Sequence, residues 1–223
     1  MYGNYQIRLG GTWTRAVGTL IGVNVAIFLL QAFSPGPFPG SIDRLSAMFG
    51  LVPGHVFPGR IYTLLTYAFL HGSPMHLIFN MLTLYFFGGD LQLFMGLKRF
   101  LILYFGAALS GGILGAFMPQ SDVVIIGASG ALFGILAAYA VYFPQTKVLL
   151  FFIIPMKIWV LVVGFMVVSV YFIAVGGGGN IAHLAHLGGA IFGFLYVGRF
   201  WRVKALVSDL KYKWRRRRFK RIQ

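Results

Sequence analysis

Three short stretches of this sequence set hydroxyl, imidazole and amide groups among apolar residues: 71–80, 127–131 and 183–193. In Gly127-Ala128-Ser129-Gly130-Ala131, Ser129 offers an Oγ that can act as a nucleophile. Gly127 lets the preceding backbone bend, and Gly130 removes a side chain that would block an approaching helix. A lone Gly-x-Ser-Gly is also a common packing element of membrane helices, so the other two stretches must decide. His76 and Asn80 are four apart and share a helix face. His186 is followed at i+3 and i+7 by Gly189 and Gly193, and Ser129 is accompanied by Gly130 and Gly134. Two such small-x-x-x-small faces allow close backbone approach, with Ser129 and His186 at the same end of the contact. That arrangement suits a Ser/His pair: His186 takes the Oγ proton as general base and later returns it to the leaving amine. The Ser129 N–H at the positive helix end, the His76 ring and the Asn80 amide are candidate oxyanion donors. No carboxylate is spaced to orient His186, so the pair is read as a dyad.

Each polar residue has a plainer reading. His71 fits an interfacial histidine, His183 a loop-end or helix-cap residue, and His76 with Asn80 a structural interhelical hydrogen bond. A metal site built from His71, His76, His183 and His186 is a further alternative. The rest of the inventory excludes more. There is no cysteine and no glutamate, and the acidic residues are Asp43, Asp90, Asp122 and Asp209. Thiol chemistry and an H-E-x-x-H zinc site are therefore impossible. A two-aspartate protease or a proton-coupled transporter calls for carboxylates inside apolar helices, whereas these four fall in predicted loops or in the C-terminal tail.

The elements that position these groups follow from composition. Of 223 residues, 58% are hydrophobic and only 10% charged, which reads as an all-α polytopic membrane protein. Apolar runs predict six transmembrane helices at about 16–33, 61–87, 100–117, 129–144, 158–175 and 181–200. The first is long and lacks a clear A-x-A site, so it reads as a retained helix rather than a signal peptide. The Ser129 helix is about 24 Å long against a hydrocarbon core of ~30 Å, which places Ser129 below the membrane surface. The Pro/Gly-rich loop 34–60 is expected to lie against the bundle. Residues 88–99 are expected as a short inside loop, 143–157 as an inside loop with an apolar, interface-hugging stretch, and 176–179 as a flexible outside loop. Formal net charge is +15, much of it in residues 211–221. So basic a stretch after a membrane segment reads as an anchor on anionic lipid headgroups rather than a nucleic-acid site. With six crossings and the positive-inside rule, both termini are cytoplasmic. The division is then a cytoplasmic segment 1–15, a membrane domain 16–201 and a basic cytoplasmic tail 202–223.

Taken together, Phe69-Leu70-His71-Gly72-Ser73-Pro74-Met75-His76-Leu77-Ile78-Phe79-Asn80-Met81, then Gly127-Ala128-Ser129-Gly130, then Ala185-His186-Leu187-Gly188-Gly189 with Gly193, resemble the rhomboid intramembrane serine proteases. The likeness extends over most of residues 16–200, including Gly96-Leu97-Lys98-Arg99-Phe100. It implies a six-helix rhomboid-like bundle that cleaves transmembrane protein substrates within or near the bilayer, without cofactor or metal. It also implies roles: Ser129 matches the nucleophile, His186 the base, and His76 and Asn80 the residues assisting the oxyanion. Gly127 matches the residue before the Ala-Ser pair, and His71 the first histidine of H-x-x-x-x-H-x-x-x-N, near the water-accessible cavity. His183 does not align with the base, because no glycine follows it three residues later. Two stretches depart from the pattern. Tyr62-Thr63, or loosely Arg60-Ile61-Tyr62, stands where the family often has a Trp-Arg pair, and Asp90-Leu91-Gln92 where many members carry a glutamate. A catalytically inactive relative that binds membrane clients is the competing function, against which the chain retains both Ser129 and His186. The expected location is a prokaryotic inner membrane.

Overall fold

The computed structural model describes residues 10–36, 38, 41–57, 59–117, 123–150, 153–175 and 183–198. The expectations for residues 1–9, Asp122, loop 176–179 and the tail 202–223 lie outside the described residues. Helix α1 (Arg15–Ala32) starts at Thr14, whose Oγ1 accepts from the Val17 N–H. The short α2 (Arg44–Phe49) is capped by Asp43, whose carboxylate accepts from the Ser46 N–H. There follow α3 (Thr63–Thr66), α4 (Pro74–Thr83), a π-helical turn Leu84–Gly88, α5 (Gly89–Met95), α6 (Leu97–Gly115) and α7 (Ser129–Tyr142). Strands β1 (Lys147–Leu150) and β2 (Ile154–Lys157) precede α8 (Ile158–Val175) and α9 (His183–Gly198).

Among the described residues, Arg15–Ala32, Pro74–Met95, Leu97–Gly115 and Ile158–Val175 are long and apolar enough to cross a membrane. The molecule is therefore a mostly helical, multi-pass membrane protein. Helices α7 and α9 are apolar but shorter; they are the two that carry Ser129 and His186.

The structure corrects the expected second helix in two places. Residues 61–87 are not one helix: α3 and a 3-10 turn, Tyr67–Phe69, end at Leu70, whose backbone is extended. Helix α4 begins afresh at Pro74, with the Ser73 Oγ accepting from the His76 N–H at 3.2 Å. Proline lacks the N–H a continuous helix needs and disfavours helical geometry in the residue before it. His71 consequently lies outside α4 rather than on one helix with His76 and Asn80. At the far end, the expected loop 88–99 is helix α5, which continues α4 through the π-helical turn. It joins α6 through Gly96 alone, at φ +85°.

The all-α expectation needs a further correction. Residues 147–150 and 154–157 pair as antiparallel strands, with Lys147 opposite Lys157 and Val148 opposite Met156. Val148 packs on the core while Lys147 and Leu149 stay exposed, the period-2 alternation of a half-buried strand.

Helix α7 sits at the centre and buries Gly130, Ala131, Gly134, Ile135 and Ala138, whereas α8 buries only Ile158, Val162 and Ser169. The contact that matters most is between α7 and α9. A Cβ on Gly189 would overlap the Gly130 carbonyl oxygen, and one on Gly193 the Gly134 carbonyl oxygen. The two glycine pairs thus let the backbones touch, as the small-residue spacing predicts.

Candidate active site

With α7 and α9 held at backbone contact, the first residue of α7 faces the first turn of α9. Ser129 Oγ and His186 Nε2 lie 2.8 Å apart. A neutral imidazole with Nε2 unprotonated accepts the hydroxyl proton at that distance, which is the ground state of general-base activation. The His186 ring is fixed from one side by Phe133, a turn below Ser129, at 4.4 Å between centroids and 26° between planes. Stacking of this kind limits the ring to the orientation in which Nε2 meets Oγ.

The segment leading into Ser129 is held at two points. Ile125 exchanges both backbone hydrogen bonds with Leu51, at 3.0 and 2.8 Å, and the Gly127 N–H donates to the Tyr67 carbonyl at 2.9 Å. The Tyr67 hydroxyl in turn donates to the Ala108 carbonyl on α6 at 2.9 Å. Glycines make room for it: a Cβ on Gly130 or Gly111 would fall 2.7 or 2.8 Å from that oxygen. Tyr67 is a positioning residue that the sequence reading missed; its only signal is a tyrosine in an apolar run just before His71.

Gly127 adopts φ +124°, a region that L side chains rarely enter. A Cβ there would lie 2.6 Å from His76 Nε2 and 3.7 Å from Asn80 Nδ2. One face of α4 therefore presses His76 and Asn80 towards the backbone just before Ser129. Asn80 is buried, and its Nδ2 has no hydrogen-bond partner among the described residues. The first N–H groups of α7 have no intrahelical acceptor either. A negative charge developing beside the Ser129 hydroxyl would meet this set of unengaged donors.

A cavity of about 370 Å³ opens onto Ser129 and His186. Asn80 and Thr83 from α4, Phe133 from α7 and Phe165, Ser169 and Phe172 from α8 line it, with His183 beside His186 on α9. His71 is brought close but not into the cavity. It is fully buried behind His76, with ring centroids 5.1 Å apart, and its backbone is clamped by Gln31. Among the described residues no three metal-ligating side chains converge, so the four-histidine alternative finds no geometry here. His183 opens the described part of α9 and makes no capping hydrogen bond among the described residues; it lines the cavity instead.

The two sequence departures also have partners. The Arg60 guanidinium, the Tyr62 hydroxyl and the Thr66 hydroxyl donate to the carbonyls of Ala47, Met48 and Phe49, closing the C-terminal end of α2. Asp90 accepts from the hydroxyls of Thr12 and Tyr139.

Residues 58–203 match the family profile described as "Rhomboid domain". Over 189 residues the chain is 33% identical to "Rhomboid protein 1, mitochondrial" of Saccharomyces cerevisiae, covering 81% of this chain and 51% of that protein. It is 30% identical over 193 residues to "RHOMBOID-like protein 12, mitochondrial" of Arabidopsis thaliana, covering 77% and 54%. Against "Rhomboid protease GluP" of Bacillus subtilis it is 33% identical over 178 residues, covering 78% and 32%. The chain thus spans about half the length of the first two relatives and about a third of the third.

Proposed function

The chain belongs to the rhomboid family, and from that premise we propose that it is an intramembrane serine protease cleaving transmembrane protein substrates within or near the bilayer. The observation that carries this reading is the 2.8 Å contact between Ser129 Oγ and His186 Nε2 at the floor of a cavity. In the proposed reaction Oγ attacks the scissile carbonyl carbon as its proton passes to His186 Nε2. The oxyanion is met by the Ser129 N–H, the Asn80 amide and the His76 ring. When the C–N bond breaks, His186 returns the proton to the leaving amine. Water then repeats the sequence on the acyl-enzyme: His186 takes its proton, hydroxide adds to the ester carbonyl, and Oγ leaves protonated. The scheme uses no cofactor.

Six crossings complete the proposal, with α7 and α9 spanning in spite of their length and the membrane domain running over 16–201. Segments 1–15 and 202–223 lie on the cytoplasmic face, as in a prokaryotic inner membrane, the basic tail resting on anionic headgroups.

Labelling of the purified protein by a fluorophosphonate tests the central claim. Wild type is expected to label and Ser129→Ala and His186→Ala to lose labelling, while Asn80→Ala loses on the order of 10–1,000-fold in turnover. A folded wild type that does not label fits instead a relative that binds membrane clients without cutting them.

A further inference from the structure

His183 is a cavity imidazole to which the proposed reaction gives no task. It lies one turn before His186 on α9 and is 8% exposed. Neither Nδ1 nor Nε2 has a hydrogen-bond partner among the described residues. Its ring stacks on Phe172 of α8, at 5.1 Å and 16°, and stands edge-on to His186 at 6.3 Å and 88°. That geometry carries no hydrogen bond between the two imidazoles, so His183 does not orient the base. Among the described residues, neither nitrogen recovers the water it gives up on burial, a loss that a bound ligand would relieve.

The surroundings narrow what that ligand is. On α8, Ser169 stands three residues before Phe172, on the same face, and is also buried and lines the cavity. Most of the remaining wall is apolar, including Leu132, Phe133, Leu136, Phe165 and Val168. A neutral imidazole offers one donor and one acceptor, and a serine hydroxyl can serve as either. Their best complement is a group that also donates and accepts, such as a hydroxyl or a carboxamide. A carboxylate would enter an apolar pocket without a cation, and an aliphatic group would leave both His183 nitrogens unpaired.

Resting on the protease reading of this cavity, we propose that His183 and Ser169 form a hydrogen-bonding subsite that selects substrates carrying a Ser, Thr, Asn or Gln side chain beside the scissile bond. A pocket built to hydrogen-bond a substrate group discriminates strongly against the analogue lacking it, because its own polar groups are then left unpaired. The subsite therefore sets where along an apolar segment the chain is cut.

The test uses the full-length protein in lipid bilayers and an apolar transmembrane substrate in which a single serine is moved through the positions flanking the cut, each compared with valine there. At one position wild type is expected to prefer serine roughly tenfold in kcat/KM. His183→Phe is expected to bring that ratio close to one, His183→Gln, which keeps a donor and an acceptor, to restore most of it, and Ser169→Ala to lower it in part. Wild type that labels with the fluorophosphonate and cleaves, but shows no serine preference at any position, overturns the subsite. So does His183→Phe that cleaves with the preference intact. Should His183→Phe not fold, an unchanged ratio in Ser169→Ala overturns the pairing on its own. Wild type that neither labels nor cleaves fails the protease reading itself, a result distinct from an active enzyme without preference.

Discussion

At the scale of single residues, the position least able to change after the dyad itself is Gly127. Its φ of +124° already disfavours any side chain, and a Cβ would stand 2.6 Å from the His76 ring. Left-handed backbone costs an L residue about 1–2 kcal/mol, an amount a folded membrane bundle can absorb. The ring cannot stay where it is, however, and it moves beside the backbone that delivers the Ser129 N–H. Gly127→Ala is therefore expected to remain folded in detergent while its fluorophosphonate labelling slows on the order of 100-fold, the lower end of what one lost oxyanion donor costs. Labelling at the wild-type rate would show that the His76 position is irrelevant to Ser129. The sequence marks Gly127 as a bend. It does not reveal the contact with His76, because a steric limit between residues 51 positions apart exists only once α4 and the loop are packed.

At the scale of elements, the Ser129–His186 contact exists because α7 and α9 approach as backbones. Gly189 and Gly193 lie against the carbonyls of Gly130 and Gly134 without room for a methyl. Gly189→Val is expected to push the helices apart, to destabilise by about 1–3 kcal/mol as overpacking does, and to abolish labelling of Ser129. The matching control is Gly164→Ala on α8, where a Cβ meets nothing within 4 Å. It should label normally and be stabilised by up to about 1 kcal/mol through helix propensity. Thermal unfolding in micelles and labelling read both; equal behaviour of the two variants would sink the argument from close approach. The α7–α9 contact was legible because glycine spacing is a local pattern that reports directly on one helix face. The break before Pro74 is written locally in Gly72-Ser73-Pro74, but the apolar runs on either side read as one span when joined across it. The pairing of β1 with β2 is hidden for a different reason. Its strands are defined by cross-strand pairing, and each is only four residues long with a lysine at one end, too short to carry a period that tells strand from loop. His183 reads as a helix-end residue in the sequence because Phe172, on which its ring stacks, and Ser169, which lines the same cavity, come from another helix.

At the scale of the whole molecule, α1 is fastened at both ends to the elements that carry the site. At the Ser129 end, Gln31 receives the His71 N–H and donates to the His71 carbonyl, to Ser46 Oγ and to Asp43. At the opposite end the backbone of Gly11 and Thr12 presses onto the α4–α5 junction: a Cβ on Gly11 would overlap the Tyr85 carbonyl, and one on Gly89 the Thr12 carbonyl. Two side-chain bonds reinforce that seam, Thr12 Oγ1 to Asp90 and Thr14 Oγ1 to Gln92. Asp90 adds a third connection, accepting from the Tyr139 hydroxyl of α7 at 3.3 Å. One carboxylate thereby joins the chain before α1, helix α5 and the last turn of the helix that begins at Ser129. Hydrogen bonds to a charged acceptor are the stronger kind, and removing the acceptor leaves part-buried hydroxyls to be resolvated. Asp90→Ala is expected to cost about 1–3 kcal/mol, lowering the unfolding midpoint in micelles, while Asp90→Asn, which keeps one acceptor oxygen, loses less. Because Asp90 lies at the end of the bundle away from Ser129, labelling measured well below that midpoint should stay at the wild-type rate in both variants. An unchanged midpoint in Asp90→Ala would mean that the glycine seam alone holds α1. Slowed labelling in the folded variant would mean that the far end of α7 controls the geometry of Ser129.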